Sequence, residues 1–205
     1  MLTAHCKQGW ERFFRPLANI LVRLGVSPTV LTLACPLLTA LVCAWLIRTR
    51  AVLPFSLIMV LVSALDMLDG AVARASGRVT RFGAYLDAVA DRYVDAIVAF
   101  SVAWVTGYWL LTMLVLVGSL LVSYTKARAA MEVPITNLEW PDLMERTERI
   151  LLFLAGLAAS RLVPWKPLGH DLFWWTLVLL IILIHLTVIQ RILRARRFIL
   201  QRSSS

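Results

Sequence analysis

Acidic residues are scarce in this chain: 12 Asp and Glu stand against 21 Lys and Arg in 205 residues, a formal net charge of +9. Cysteine and histidine are scarcer still, with three of each. Cys6 lies near the N-terminus, while Cys35 and Cys43 share an apolar run without the spacing of a metal-binding set, so all three read as packing residues. His5, His170 and His185 are scattered and read as structural, with the ring of His185 expected to hydrogen-bond a neighbouring helix. No low-complexity linker and no stretch with the composition of a soluble domain is present. The first 23 residues hold no apolar run ahead of a small-residue cleavage site, so a signal peptide is not expected.

What fills the chain instead is hydrocarbon: 60% of residues are hydrophobic and the mean hydropathy is +0.78, the composition of an integral membrane protein. Uncharged stretches cover residues 24–47, 51–65, 96–125 and 172–190, with a shorter one at 150–160. The stretch 96–125 is too long for one span of about 20 residues, and Gly107-Tyr108-Trp109 offers the turn that divides it. Six transmembrane helices are therefore expected in an all-α membrane fold. One membrane domain would cover residues 1–205: an interfacial helix over 1–23, a bundle over 24–195 and a basic tail over 196–205.

Trp10, Phe13, Phe14, Leu17, Leu21 and Leu24 recur at helical spacing, with Lys7, Arg12, Arg15 and Arg23 off that stripe. This pattern predicts an amphipathic helix in the membrane interface, bent at Pro16. Ser27-Pro28 then supplies a cap and a first-turn proline for the first span. Trp109, Trp165, Trp174 and Trp175 lie near expected span ends, as an aromatic belt requires. With six spans both termini share one side. That side would carry Lys7, Arg12, Arg15, Arg23, Arg74, Arg78, Arg81, Lys126, Arg128, Arg146, Arg149, Arg191, Arg194, Arg196, Arg197 and Arg202. Only Arg48, Arg50, Arg161 and Lys166 would fall opposite, and Arg92 lies within a span. The bias orients both termini to the cytoplasm in a multi-pass protein of the cell membrane.

Against this background four aspartates stand out, in the segment Asp66-Met-Leu-Asp69-Gly70-Ala-Val-Ala73-Arg74, then Gly83-Ala-Tyr-Leu-Asp87-Ala-Val-Ala-Asp91. Asp66 and Asp69 are an i, i+3 pair on a helix, and Gly83, Asp87, Asp91 and Asp95 recur every four residues on one face. Two such helices facing each other would gather four carboxylates. Four negative charges at that range do not all stay ionised without cations, so the pattern predicts bound metal, most simply two hard divalent ions such as Mg²⁺ or Mn²⁺. Asp95 continues the face by a turn and is expected to orient Arg92 or a neighbouring helix rather than to bind metal.

At every fixed position these residues match D-x-x-D-G-x-x-A-R-x8-G-x-x-x-D-x-x-x-D, and the chain thereby resembles the CDP-alcohol phosphotransferase family of membrane enzymes. The resemblance implies a six-helix bundle, usually a homodimer, that moves a substituted phosphate from a CDP-linked donor to an alcohol and releases CMP. It implies Asp66, Asp69, Asp87 and Asp91 as metal ligands, with Asp91 also the base that takes the proton of the attacking hydroxyl. Donor binding falls by the same resemblance to Asp69, Gly70, Ala73, Arg74 and Gly83: the small residues allow close approach of the cytidine group and keep the mouth open, and Arg74 clamps phosphate or cytosine. No nucleic-acid partner is implied. Facing carboxylates inside a membrane also occur in divalent-cation transporters, the rival reading. That rival needs polar or broken helices leading to both sides, whereas the remaining halves of these spans are almost wholly apolar.

The acceptor must be read elsewhere. Ser123-Tyr-Thr-Lys126-Ala-Arg128 and Glu145-Arg146-Thr-Glu148-Arg149 supply cations, and Lys126 with Arg146 would suit a phosphate. These two segments, together with Arg15-Pro-Leu-Ala18 and Leu21-x-Arg-Leu-Gly-Val-Ser-Pro28, look like the phosphatidylinositol-phosphate synthase branch. By that resemblance Ser123, Lys126, Arg146 and an arginine of the last span, here Arg191, line an inositol-phosphate pocket. Pro134, Trp140 and Pro141 stand where the branch carries a glycine-rich stretch, a departure that bears on the acceptor and not on the reaction type. Inositol 1-phosphate is the expected acceptor and glycerol 3-phosphate the alternative, since both set a hydroxyl beside a phosphate. The donor would be a CDP-diacylglycerol or its archaeal diether analogue, its tails among membrane lipid.

Overall fold

The computed structural model describes residues 16–133 and 143–203. Among the described residues every regular element is helical and no strand occurs. Residues 1–15 of the expected interfacial helix, and Pro134, Trp140 and Pro141, lie outside the described residues; residues 16–23 are helical and form α1. Helix α1 stops at Gly25, whose positive φ of 72° turns the chain so that the Gly25 and Val26 amides return to the carbonyls of Val22 and Leu21. Ser27 then caps α2 (Pro28–Thr49), its hydroxyl accepting from the Val30 amide and Pro28 occupying the first turn.

The remaining helices are α3 (Val52–Ala75), α4 (Arg81–Thr106), α5 (Trp109–Glu132), α6 (Arg146–Leu162) and α7 (Leu172–Ser203). The uncharged run 96–125 breaks where expected: α4 ends at Thr106 and α5 starts at Trp109, with Gly107 at φ 79° between them. Four described helices are long and apolar enough to cross a membrane: Pro28–Thr49, Val52–Ala75, Trp109–Glu132 and the stretch Leu172–Gln201. Helix α4 has the length, at 26 residues, but it carries Asp87, Asp91, Arg92 and Asp95. Helix α6 has 17 residues, about 25 Å at 1.5 Å per residue, against a hydrocarbon core of about 30 Å.

The chain forms two compact units, one ending at Ser101 and the other beginning at Val102. In the first, α2 buries Thr32, Cys35, Thr39, Cys43 and Leu46, a stripe at helical period along which it meets α3. Its other face presents Val30, Leu33, Leu37 and Leu41 outward, as a lipid-facing surface does. In the second unit α7 packs on both α5 and α6. The stripe Phe173, Leu177, Leu180, Ile184 and Thr187 is buried, and small residues let the helices approach. A Cβ on Gly118 would stand 2.6 Å from Ile184 Cγ2, and one on Gly156 would stand 2.3 Å from Thr176 Oγ1. His185 does not reach across to another helix for its hydrogen bond: its Nδ1 lies 2.9 Å from the Ile181 carbonyl of its own helix.

Candidate active site

The turn between α3 and α4 sets the site. Gly77, at φ 65°, ends α3, with the Arg78 amide returning to the Ala73 carbonyl at 3.0 Å and the Gly77 amide to the Arg74 carbonyl at 3.3 Å. Three residues later the Thr80 hydroxyl accepts from the Gly83 amide at 2.9 Å and caps α4. The chain thus leaves α3 shortly after Asp66 and Asp69 and enters α4 shortly before Asp87 and Asp91. Asp66, Asp87 and Asp91 each offer one oxygen within 4.8 Å of the other two. Oxygens on opposite sides of a hard divalent ion stand about 4.2 Å apart for Mg²⁺ and about 4.8 Å for the larger Ca²⁺, so the set lies close to the span such an ion bridges. Along its own helix Arg92 lies 3.6 Å from Asp91 and 3.3 Å from Asp95.

Asp69 is placed differently from the other three. It is 8% exposed. Its Oδ2 accepts from the Thr32 hydroxyl at 2.6 Å, and its Oδ1 accepts from the Gly70 amide. Asp69 and Asp87 both line a cavity of about 520 Å³, together with Gly70, Ala73, Arg74 and Gly83. Every residue assigned to the donor by resemblance therefore borders one space. Gly70 has a local reason to be glycine: a Cβ there would meet the Arg74 guanidinium at 3.3 Å, so the bare backbone lets that side chain fold back over the helix. A Cβ on Gly83 would stand closer still to the capping residue, 3.0 Å from the Thr80 hydroxyl.

The same cavity is bordered by Ser27, Pro28, Thr29, Thr32, Arg78 and Thr80, which reading the sequence did not assign to it. Ser27 and Pro28 were legible as a helix start and Arg78 as a membrane-flanking charge, and those roles masked the second one. Thr32 gave no signal, because a threonine in an apolar helix ordinarily bonds its own backbone.

In the second unit Arg191 is 5% exposed and its guanidinium donates to the Val122 carbonyl of α5, the residue before Ser123. The Ser123 hydroxyl donates to the Ser119 carbonyl at 3.3 Å. Lys126 is half-buried on the next turn of α5, and half-buried Arg146 opens α6, between Glu145 and Glu148, which cap that helix reciprocally. Arg149, unassigned from sequence, is 5% exposed and donates to the Met144 carbonyl at 3.1 Å.

A sequence profile of CDP-alcohol phosphatidyltransferases matches residues 25–189. The chain belongs to the CDP-alcohol phosphatidyltransferase family. It is thus a transferase of a membrane phospholipid-synthesising family, and the transporter reading falls away. The chain is 32% identical to the phosphatidylinositol phosphate synthase of Corynebacterium glutamicum, over 95% of this chain and 89% of that one. It is 38% identical to the archaetidylinositol phosphate synthase of Pyrococcus horikoshii, over 74% of this chain and 78% of that one. Among solved structures, the Mycobacterium tuberculosis phosphatidylinositol phosphate synthase with CDP-DAG bound superposes with a TM-score of 0.78 at 30% identity, covering 90% of this chain and 94% of that one. The same enzyme in complex with manganese and citrate gives a TM-score of 0.76, also at 30% identity, over 88% of this chain and 87% of that one.

Proposed function

We propose that this phosphatidyltransferase carries the phosphatidyl group of a CDP-diacylglycerol, or the corresponding group of a diether analogue, to the hydroxyl of inositol 1-phosphate, releasing CMP. One observation carries the reading: three aspartates of the family motif converge within 4.8 Å, and a fourth borders the cavity next to them. The acceptor follows from the relatives, which are named for inositol phosphate products in both bacteria and an archaeon.

In this reading Asp66, Asp69, Asp87 and Asp91 hold two divalent ions, Mg²⁺ or Mn²⁺. When bound, such ions neutralise the donor diphosphate and stabilise the departing CMP oxygen. Asp91 takes the proton of the acceptor hydroxyl as that oxygen bonds to the β-phosphorus and the bond from the β-phosphorus to the CMP oxygen breaks. Gly70, Ala73 and Gly83 leave room for the nucleotide, and Arg74 pairs with its phosphates. Ser123, Lys126, Arg146 and Arg191 hold the acceptor phosphate. Helices α4 and α6 complete six spans in one membrane domain, both termini and the site face the cytoplasm, and two copies form a homodimer. The charge bias supports the orientation, and the match along nearly the whole chain supports the single membrane domain.

The test is CMP release by the purified protein with Mg²⁺ and CDP-diacylglycerol, across a panel of inositol 1-phosphate, glycerol 3-phosphate, free inositol, serine and choline. Release is expected with inositol 1-phosphate foremost. A preference for glycerol 3-phosphate would reassign the acceptor and keep the reaction. Lys126→Ala and Arg146→Ala should each raise the acceptor KM by roughly 10–100-fold, the worth of a hydrogen bond to a charged group, with the donor KM unchanged.

A further inference from the structure

The contact between α2 and α3 contains a hydroxyl that forgoes the usual habit of its residue type. A threonine inside a helix donates to the carbonyl four residues back, and the Thr32 hydroxyl does lie 3.1 Å from the Pro28 carbonyl. It also lies 2.6 Å from Asp69 Oδ2, on the neighbouring helix. A hydroxyl has one proton to give. The shorter distance marks the stronger of the two bonds, so the proton goes to Asp69. Both residues are buried, at 6% and 8% exposure, although each borders the cavity.

The consequence falls on orientation. Oδ2 is tied to α2 by Thr32 and Oδ1 to the backbone by the Gly70 amide, which leaves the Asp69 side chain no free rotation. A carboxylate offers about four lone-pair sites, two of them taken here, and Asp69 borders the cavity with the others. We propose that Thr32 is a positioning residue for the metal centre: its hydroxyl fixes which lone pairs of Asp69 are turned toward the ion and the donor diphosphate. This inference rests on the reading of the aspartates as a divalent-metal site. The same helix supplies its own contrast in Thr39, fully buried two turns along the α2 stripe, whose hydroxyl has no hydrogen-bond partner among the described residues.

Mn²⁺ titrated into the purified full-length protein without substrate, with free ion read from its aqueous electron paramagnetic resonance signal, tests this. Thr32→Val preserves shape and removes the donor, and should weaken Mn²⁺ binding by roughly 10–100-fold, as losing a group that orients a metal ligand does. Thr32→Ser restores the donor and should bind within about threefold of the wild type. Thr39→Val should match the wild type. Should Thr32→Val fail to fold, Thr32→Cys replaces it, because a thiol is a weak donor, and the Cys-to-Ser difference carries the same comparison. Thr32→Val, or its Cys replacement, binding Mn²⁺ within twofold of the wild type would overturn the role of Thr32, as would Thr32→Ser binding as poorly as Thr32→Val. A wild-type protein that takes up no Mn²⁺ is a different failure: it removes the metal site, and the role of Thr32 with it.

Discussion

In the first unit Asp66, Asp87 and Asp91 bring three like charges within 4.8 Å, whereas in the second unit the buried guanidiniums of Arg149 and Arg191 each donate to a backbone carbonyl. A guanidinium tied to a carbonyl has part of its desolvation offset by the fold itself. Carboxylates gathered together repel, and opposite charge, whether the Arg92 guanidinium beside Asp91 or a bound cation, makes the arrangement favourable. The arginines are thus held as parts of the scaffold. The aspartates are a receptor. Buried charge alone does not mark a reactive site, and what surrounds the charge decides.

The sharpest way to break this contrast is Asp91→Asn. It removes the proton acceptor and is expected to lower CMP release by about 10²–10⁴-fold, the usual worth of general-base catalysis. Because it also relieves repulsion, its melting temperature without metal should not fall below that of the wild type. A variant that keeps near-normal turnover would remove the base assignment.

Arg149→Ala should do the reverse. Losing the guanidinium leaves the Met144 carbonyl without this donor at a buried site and costs about 1–3 kcal/mol of stability, read by thermal unfolding in detergent. Turnover per folded molecule should stay near normal. Loss of turnover without loss of stability would place Arg149 among the reactive groups.

The smallest effect concerns Tyr108, an intermediate case in which a neutral donor meets a carboxylate. Burial, then the charge and hydrogen bond of Asp171, hold its hydroxyl above the usual tyrosine range, with Arg161 opposing. Below pH of about 10 the folded and unfolded chains both keep this proton, and the contact contributes fully. Between that point and the higher folded value the unfolded chain alone loses the proton, so stability falls as pH rises. Tyr108→Phe should cost about 0.5–1.5 kcal/mol at neutral pH and abolish that alkaline loss. Parallel alkaline melting curves for the two proteins would show that Tyr108 does not titrate in this way.

Much of this was legible along the chain because the signals are local. The cap at Ser27, the break at Gly107 and the i, i+3 and i, i+4 spacing of the aspartates each depend on a few consecutive residues and on helical geometry. Thr32 was not legible, since its partner lies 37 residues away and nothing in a run of apolar residues distinguishes it from Thr39. Arg149 read as a flanking charge and Arg191 as a pocket residue by resemblance, and the backbone partner of neither was legible, because sequence gives charge but not the carbonyl that receives it.

By itself, then, the amino-acid sequence determined a helical membrane protein and a motif of four carboxylates, since hydrocarbon solvent and helical period act residue by residue. Only the tertiary structure decided how those carboxylates divide. Three converge and the fourth is held by α2 and its own backbone, because the partner of a buried polar group is chosen by the packing of helices distant in sequence.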